Sequence, residues 1–295
     1  MKMKKTISGA MLLLTALLLG GCDFALFAPE GEIGINIRNT MFITVGTMLL
    51  VVIPTLFLTV YFAFKYRKGA DAEYEPEWEH SNKIELFAWG IPIAIIVVLA
   101  TITYIATHRL DPRQPIKSDK APLTIQVVAL DWKWLFIYPE EQIATINEIA
   151  VPVDRPVEFL ITSNSTMNSF FIPRLGGQLY AMAGMENRLN LVANKVGVYR
   201  GISSNYSGFG FTGMRFAVHS VPDAKFGEWV AKVKTSPQKL DAESYARLEQ
   251  RSRDHKVEYF GQIDPLQFKN VIEKYNPVNA GKVVKAKKIE HEEEK

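Results

Sequence analysis

The 295-residue chain has one cysteine, Cys22. A disulfide within the chain is therefore impossible, and so is a metal centre that needs two thiolates from one polypeptide. Histidine is also scarce. The five, His80, His108, His219, His255 and His291, lie far apart in the sequence. Surplus charge is missing too. The formal net charge of +3 comes from Lys2, Lys4 and Lys5, and without them basic and acidic residues balance at 31 each. That balance leaves no basic patch of the kind that attracts a phosphate backbone, so nucleic acid is not an expected partner.

What the chain does have is long uncharged runs. Lys2, Lys4 and Lys5 precede a leucine-rich run from Ile7 to Gly20, too short for a membrane span and right for a secretory signal peptide, residues 1–21. It meets Leu19-Gly20-Gly21-Cys22, which resembles the bacterial lipobox, in which cleavage leaves a lipidated cysteine as the first mature residue. Asp23 resembles the signal that keeps such lipoproteins in the inner membrane. After an external segment, 22–40, Met41–Phe64 and Leu86–Thr107 each run for more than twenty residues without a charge. Each is long enough to cross a hydrocarbon core of roughly 30 Å as a helix. Pro54 and Pro92 interrupt them, which membrane helices tolerate. Lys65, Arg67, Lys68 and Lys83 lie in the connecting loop, 65–85, but Arg109, Arg113, Lys117 and Lys120 follow the second span, so positive charge alone does not orient the hairpin. The lipobox does: it is processed on the outer face, which puts the loop in the cytoplasm and everything after Thr107 outside.

A linker, 108–120, leads into residues 121–221, where long apolar runs give way to short alternating ones. "LTIQVVALDWKWLFIY", "PVEFLITSN", "RLNLVAN", "GVYRGIS" and "MRFAVHSV" are separated by proline, glycine and asparagine turns, the pattern of an all-β sandwich or barrel. The first of these reads as one long strand with Trp132, Trp134, Phe136 and Tyr138 on one face, either as core or as a docking or electron-transfer stripe. Beyond Pro222, "AKFGEWVAKVK", "DAESYARLEQR" and "LQFKNVIEKY" read as short surface helices within 222–280, and 281–295 as a charged tail too poor in apolar residues to fold. Between the last two β runs lies "SSNYSGFGFTGM", Ser203 to Met214. It is an uncharged, glycine-rich loop with no histidine, able to bend tightly around a guest.

Lipid anchor, helical hairpin and external β-domain together resemble subunit II of the haem-copper respiratory oxidases. In the cytochrome c oxidase members the β-domain is a cupredoxin fold with a two-copper centre, whose ligands follow Cys-x-Glu-x-Cys-x-x-x-His-x-x-Met with one histidine upstream. Laid on this sequence, the cysteines fall at Ser203 and Ser207, the glutamate at Asn205, the histidine at Phe211, the methionine at Met214 and the upstream histidine at Asn168. A serine hydroxyl does not ionise to bridge two coppers at neutral pH, and Met214 alone cannot retain them. The expectation is no metal in this chain. Nor is cytochrome c an expected partner, since residues 121–221 carry seven acidic and seven basic residues and no strong field.

The resemblance narrows to subunit II of the cytochrome bo-type quinol oxidases, carried by "VVALDWKWLFIYPE", "TSNSTMNSFFIPRLGGQLYAMAGM" and "GISSNYSGFGFTGM". It implies a cupredoxin-like domain without copper, and a non-redox subunit that caps a catalytic subunit I. That partner holds two haems and one copper and takes electrons from ubiquinol in the membrane to reduce oxygen and pump protons. It also implies that Glu85, in "EHSNKIELFAWGIP", stands at the entrance to a proton-uptake channel; from the residues alone Glu85 reads as an interfacial carboxylate at a helix end. The alternatives are subunit II of a menaquinol oxidase, or a free-standing lipid-anchored binding domain.

Overall fold

The computed structural model describes residues 24–69, 77 and 79–276. The expected signal peptide, Cys22 and the charged tail lie outside the described residues.

Two helices open the described chain, α1 (Glu32–Lys65) and α2 (Asn82–Arg109). Each contains one uncharged run and extends it at both ends, carrying Pro54 or Pro92 without breaking. Both are long and apolar enough to cross a membrane, and none of either apolar window is buried within the chain. Leu50, Phe57, Leu86 and Trp89 are about as exposed as surface lysines would be, which suits lipid and not water. The hydroxyls of Thr47, Thr55, Thr59 and Thr101 each donate to the carbonyl four residues back, at 2.8–2.9 Å, so the helices carry these polar groups without needing solvent.

The β-domain is built from β1 (Leu123–Leu130), β2 (Lys133–Tyr138), β3 (Ile143–Ile146), β4 (Glu148–Pro152), β5 (Val157–Ser163), β6 (Asn168–Phe171), β7 (Leu179–Ala181), β8 (Asn187–Leu191), β9 (Gly197–Ser203) and β10 (Arg215–Val221). The C-terminal segment follows with α3 (Asp223–Lys234), β11 (Lys239–Leu240), α4 (Ala242–Glu249), β12 (Glu258–Phe260), β13 (Gln262–Ile263) and α5 (Gln267–Lys274). One sheet has the order β12-β3-β2-β1-β5-β8 and faces a second, β4-β10-β9-β6-β7. β1 runs parallel to β5 and β4 parallel to β10, while the other pairs in these two sheets are antiparallel. The result is a two-helix hairpin followed by a cupredoxin-like sandwich and a short helical C-terminal segment.

The single long strand expected from Leu123 to Tyr138 is two. The chain turns at Asp131–Trp132, with Trp132 at φ 66°, and β2 comes back antiparallel on β1 with Leu130 opposite Lys133. No glycine, proline or asparagine marks this turn, so the alternation ran through it unbroken. The aromatic stripe therefore loses Trp132 and keeps three rings. Trp134, Phe136 and Tyr138 point into the space between the sheets and are fully buried. Trp134 meets Phe170 and Phe216 edge-on at 5.4 and 5.9 Å, and Phe170 stacks on Phe216 at 5.1 Å. Each such ring removes roughly 150–250 Å² from water, so this cluster dominates the inner core. It leaves no room at Gly201, where a Cβ would lie 2.0 Å from the Phe216 ring.

The other face of the first sheet is also covered. Val128, Leu130, Leu135, Ile137, Ala144 and Ile146 pack against Leu240, Tyr245, Leu248, Phe260, Phe268 and Val271. α4 and α5 are thus walls of a second core, while α3 sends Phe226, Val230 and Val233 into the inner one, and the segment is not purely helical, since β12 joins the first sheet beside β3. Lys133 is buried among these groups. Its Nζ donates to Leu248 O at 2.8 Å and Gln250 O at 2.7 Å, satisfying carbonyls at the end of α4, where a positive charge is favourable. Burial lowers the Lys133 pKa from its ordinary value, opposed by the charges of Asp131 and Glu258.

The domain is fixed to the hairpin at the start of α1. Glu30 N donates to Arg174 O at 2.7 Å, Asn194 N to Glu30 O at 2.8 Å and Gly34 N to Leu175 O at 3.0 Å. The Glu30 carboxylate pairs with Arg174 at 3.4 Å and Lys195 at 2.9 Å. Gly31 lies flush against the domain: a Cβ there would be 2.4 Å from Val192 O.

Candidate functional site

The loop that joins β9 to β10 runs from Ser203 to Met214 and ends in a single 3-10 turn, Phe211–Gly213. Its two ends are tied, with Ser203 N donating to Met214 O at 3.2 Å. β6 lies alongside β9 and pairs Phe170 with Ser203, which brings the upstream position Asn168 to the same end of the second sheet.

Asn168 and Ser203 meet directly. Ser203 Oγ donates to Asn168 Oδ1 at 3.1 Å, both side chains are buried, and Asn168 Nδ2 donates to Thr166 O at 3.0 Å. Asn205 Nδ2 reaches Met167 O at 3.0 Å, next to Asn168. Met214 is buried beneath the loop and takes part in the inner core. Four of the six positions are therefore joined by contacts centred on Ser203. The other two sit on the outer half of the loop. Phe211 N donates to Gly208 O at 3.1 Å and its ring meets Tyr206 edge-on at 5.7 Å. Ser207 Oγ is buried without a hydrogen-bond partner.

Trp132, which the sequence pattern placed in the strand, organises this outer half. Its Nε1 donates to Ser207 O at 3.0 Å, and its ring lies where a Cβ on Gly210 would fall, at 2.3 Å. The Arg251 guanidinium covers the indole at 5.9 Å and pairs with Asp131 at 3.1 Å. Only an aromatic at an unpaired strand end hints at this in the sequence. The positive φ that swings the ring onto the loop has no residue signature.

The donor set does not fit a copper pair. At the aligned positions stand an amide, two hydroxyls, a second amide, a phenyl ring and one thioether, and the first amide and hydroxyl satisfy each other. Among the described residues no group of three or more His, Cys, Asp or Glu side chains is gathered anywhere. Ser207 Oγ, the one orphaned atom at these positions, is a neutral hydroxyl that cannot substitute for a bridging thiolate.

Glu85 is remote from this loop. It stands in the first turn of α2, about half exposed, with His80 Nδ1 at 2.7 Å from its Oε1. His80 also contacts Asn82 through Nε2.

Comparison with known proteins gives the following. The family model described as cytochrome C oxidase subunit II, periplasmic domain, matches residues 138–221, and the one described as COX aromatic rich motif matches residues 234–279. The chain is 50% identical over 275 residues to cytochrome bo(3) ubiquinol oxidase subunit 2 of Pseudomonas putida, covering 93% of this chain and 88% of that protein. Ubiquinol oxidase subunit 2 of Acetobacter aceti is 49% identical over 89% of this chain and 86% of its own length. Quinol oxidase subunit 2 of Bacillus subtilis is 37% identical over 80% of this chain and 75% of its own length.

Proposed function

We infer the function of this chain from one premise: it belongs to the subunit 2 family of the cytochrome bo-type ubiquinol oxidases. It is a subunit of an oxidoreductase that takes electrons from quinol to oxygen, and its own part in that reaction is not redox. The observation that carries this reading is the Asn168–Ser203 hydrogen bond at the aligned copper-ligand positions, where two neutral side chains satisfy each other. With no donor set for copper, the β-domain cannot relay electrons from cytochrome c. The haems and copper of the family, with the oxygen chemistry they supply, belong to the catalytic subunit. This chain supplies a hairpin to pack against that subunit and a β-domain, on the outer side, to cap it. The exposed apolar surface of α1 and α2 supports membrane burial, and the glutamate–arginine–lysine junction at Glu30 supports a domain held in one orientation over the partner.

The test is turnover by the complex extracted in detergent. It oxidises ubiquinol, contains haem in fixed proportion to this chain, and does not oxidise reduced cytochrome c. Oxidation of cytochrome c at a comparable rate would overturn the assignment.

Two residues take specific roles in this reading. Cys22 carries the lipid in a multi-pass lipoprotein of the inner membrane. Cys22→Ser abolishes the lipid by mass spectrometry but leaves the chain resistant to carbonate extraction, because two spans outweigh acyl chains as anchors. Glu85 holds and passes protons at the cytoplasmic mouth of α2. Its exposure at the start of α2 and its contact with His80 support that role. Glu85→Ala slows quinol oxidation several-fold with haem content unchanged, and Glu85→Asp retains more activity; full turnover in the alanine variant returns Glu85 to an interfacial carboxylate.

A further inference from the structure

We propose that the apolar cavity at the foot of α1 is a binding site for an acyl chain carried by Cys22 of the same polypeptide. The proposal rests on the reading of Cys22 as the lipid-bearing residue and adds to it a place for the lipid. The cavity is a half-open cleft of about 530 Å³, within the roughly 300–1,000 Å³ of sites that hold small molecules. Its walls come from three segments: the turn at Phe24–Pro29, the first turns of α1 at Gly34 and Ile37, and the link between β6 and β7 from Phe171 to Gln178. Every lining side chain but one is apolar. The exception, Gln178, has its Oε1 engaged by the hydroxyls of Ser169 and Ser204.

Chain continuity selects the occupant. Phe24 is both the first described residue and part of the wall, and its carbonyl is fixed by Phe27 N at 2.9 Å and Ala28 N at 3.1 Å. Cys22 is two residues upstream, a reach of about 7 Å at full extension, so a lipid attached there begins at the cavity. Leu26, Phe27 and Phe42 are exposed beside it, with Phe27 stacked on Phe42 at 6.0 Å, which marks this level as the apolar edge of the hairpin. A tethered chain is present at a far higher effective concentration than any free guest. The lipid then bridges helix and β-domain as well as anchoring the N-terminus.

The test uses the intact oxidase from cells grown with a fatty acid bearing a diazirine and an alkyne. Mass spectrometry of the N-terminal peptide first establishes label on Cys22. After illumination, the main crosslink joins that lipid to the peptide containing Phe171–Gln178. Gly177→Leu blocks the site, since a Cβ at 177 has only Ile37 Cδ1 near it, at 4.0 Å, and the added side chain projects into the cavity. In this variant the crosslink falls at least tenfold, while Cys22 labelling and quinol oxidation stay unchanged. The wild-type crosslink map decides the matter even if that variant does not assemble. Label on Cys22 that crosslinks only to other subunits or to bulk lipid overturns the proposal. So does an equal crosslink at Phe171–Gln178 in Cys22→Ser, which assigns the cavity to free phospholipid. Absence of label from Cys22 overturns the anchor reading, and this proposal with it.

Discussion

On its inner face the six-stranded sheet presents Trp134 and Phe136 to rings from the opposite sheet and Tyr138 to rings of α3; on its outer face it presents Leu135 and Ile137, with Lys133, to a segment more than a hundred residues further along. The inner partners are strands of the opposite sheet and, at Tyr138, Phe226 and Trp229 of α3; the contacts are largely ring on ring. The outer partners are short helices that bury little without the sheet, and a lysine fastens one of them by its end. The inner face therefore makes the domain fold, and the outer face decides whether the C-terminal segment stays on it.

The largest effect expected from this difference is on the inner face. Phe136→Ala destabilises a soluble fragment starting at Ala121 by about 3–5 kcal/mol, the usual cost of deleting a buried ring, and lowers the urea midpoint for all probes together. Second is the outer face. Lys133→Met keeps most of the volume but leaves the carbonyls of Leu248 and Gln250 without a donor, for about 1–3 kcal/mol. Hydrogen exchange then separates the two variants: loss of protection in Lys133→Met is confined to α4 and β12, whereas in Phe136→Ala it spreads through both sheets. Uniform loss in both would erase the distinction between the faces.

Two buried groups, one on each face, respond to pH with opposite signs. Burial raises the Tyr138 pKa well above its ordinary value of 10.0, so the stability it contributes is full below pH 10 and is lost as pH rises through the folded value. Burial lowers the Lys133 pKa below 10.5, so the native state holds fewer protons than the unfolded one between the lowered value and 10.5, and stability rises with pH across that window. Urea titrations from about pH 8 to about pH 11 should lose the rising component in Lys133→Met and part of the alkaline fall in Tyr138→Phe. The smallest expected change lies at the loop: Ser203→Ala removes one neutral hydrogen bond, about 1 kcal/mol, with quinol oxidation unchanged.

The inner face was legible in the sequence because its periodicity is local: Trp134, Phe136 and Tyr138 alternate within five residues of chain. So were the two long helices, whose signal is an absence of charge over one helix length. The loop was legible as a spacing, and the structure brings Asn168, Ser203, Asn205 and Met214 together through contacts that such spacing implies. The outer core was not legible. Short runs such as "AESYARLE" look like solvated helices until a sheet is placed under Tyr245 and Leu248, and nothing within the run announces that sheet. The burial of Lys133 was not legible for the same reason, since its carbonyl partners stand 115 and 117 residues away. The turn at Trp132 escaped because a positive φ was imposed on a residue that carries no mark of it.

The junction at Glu30 has a consequence in time. Arg174 follows Glu30 by 144 residues. At ordinary rates of synthesis that stretch takes on the order of 10 s to appear, and Lys195 comes later still. During biogenesis the first helix is made before the surface that will hold its end exists. Its docking is therefore a late event that only a finished β-domain can complete.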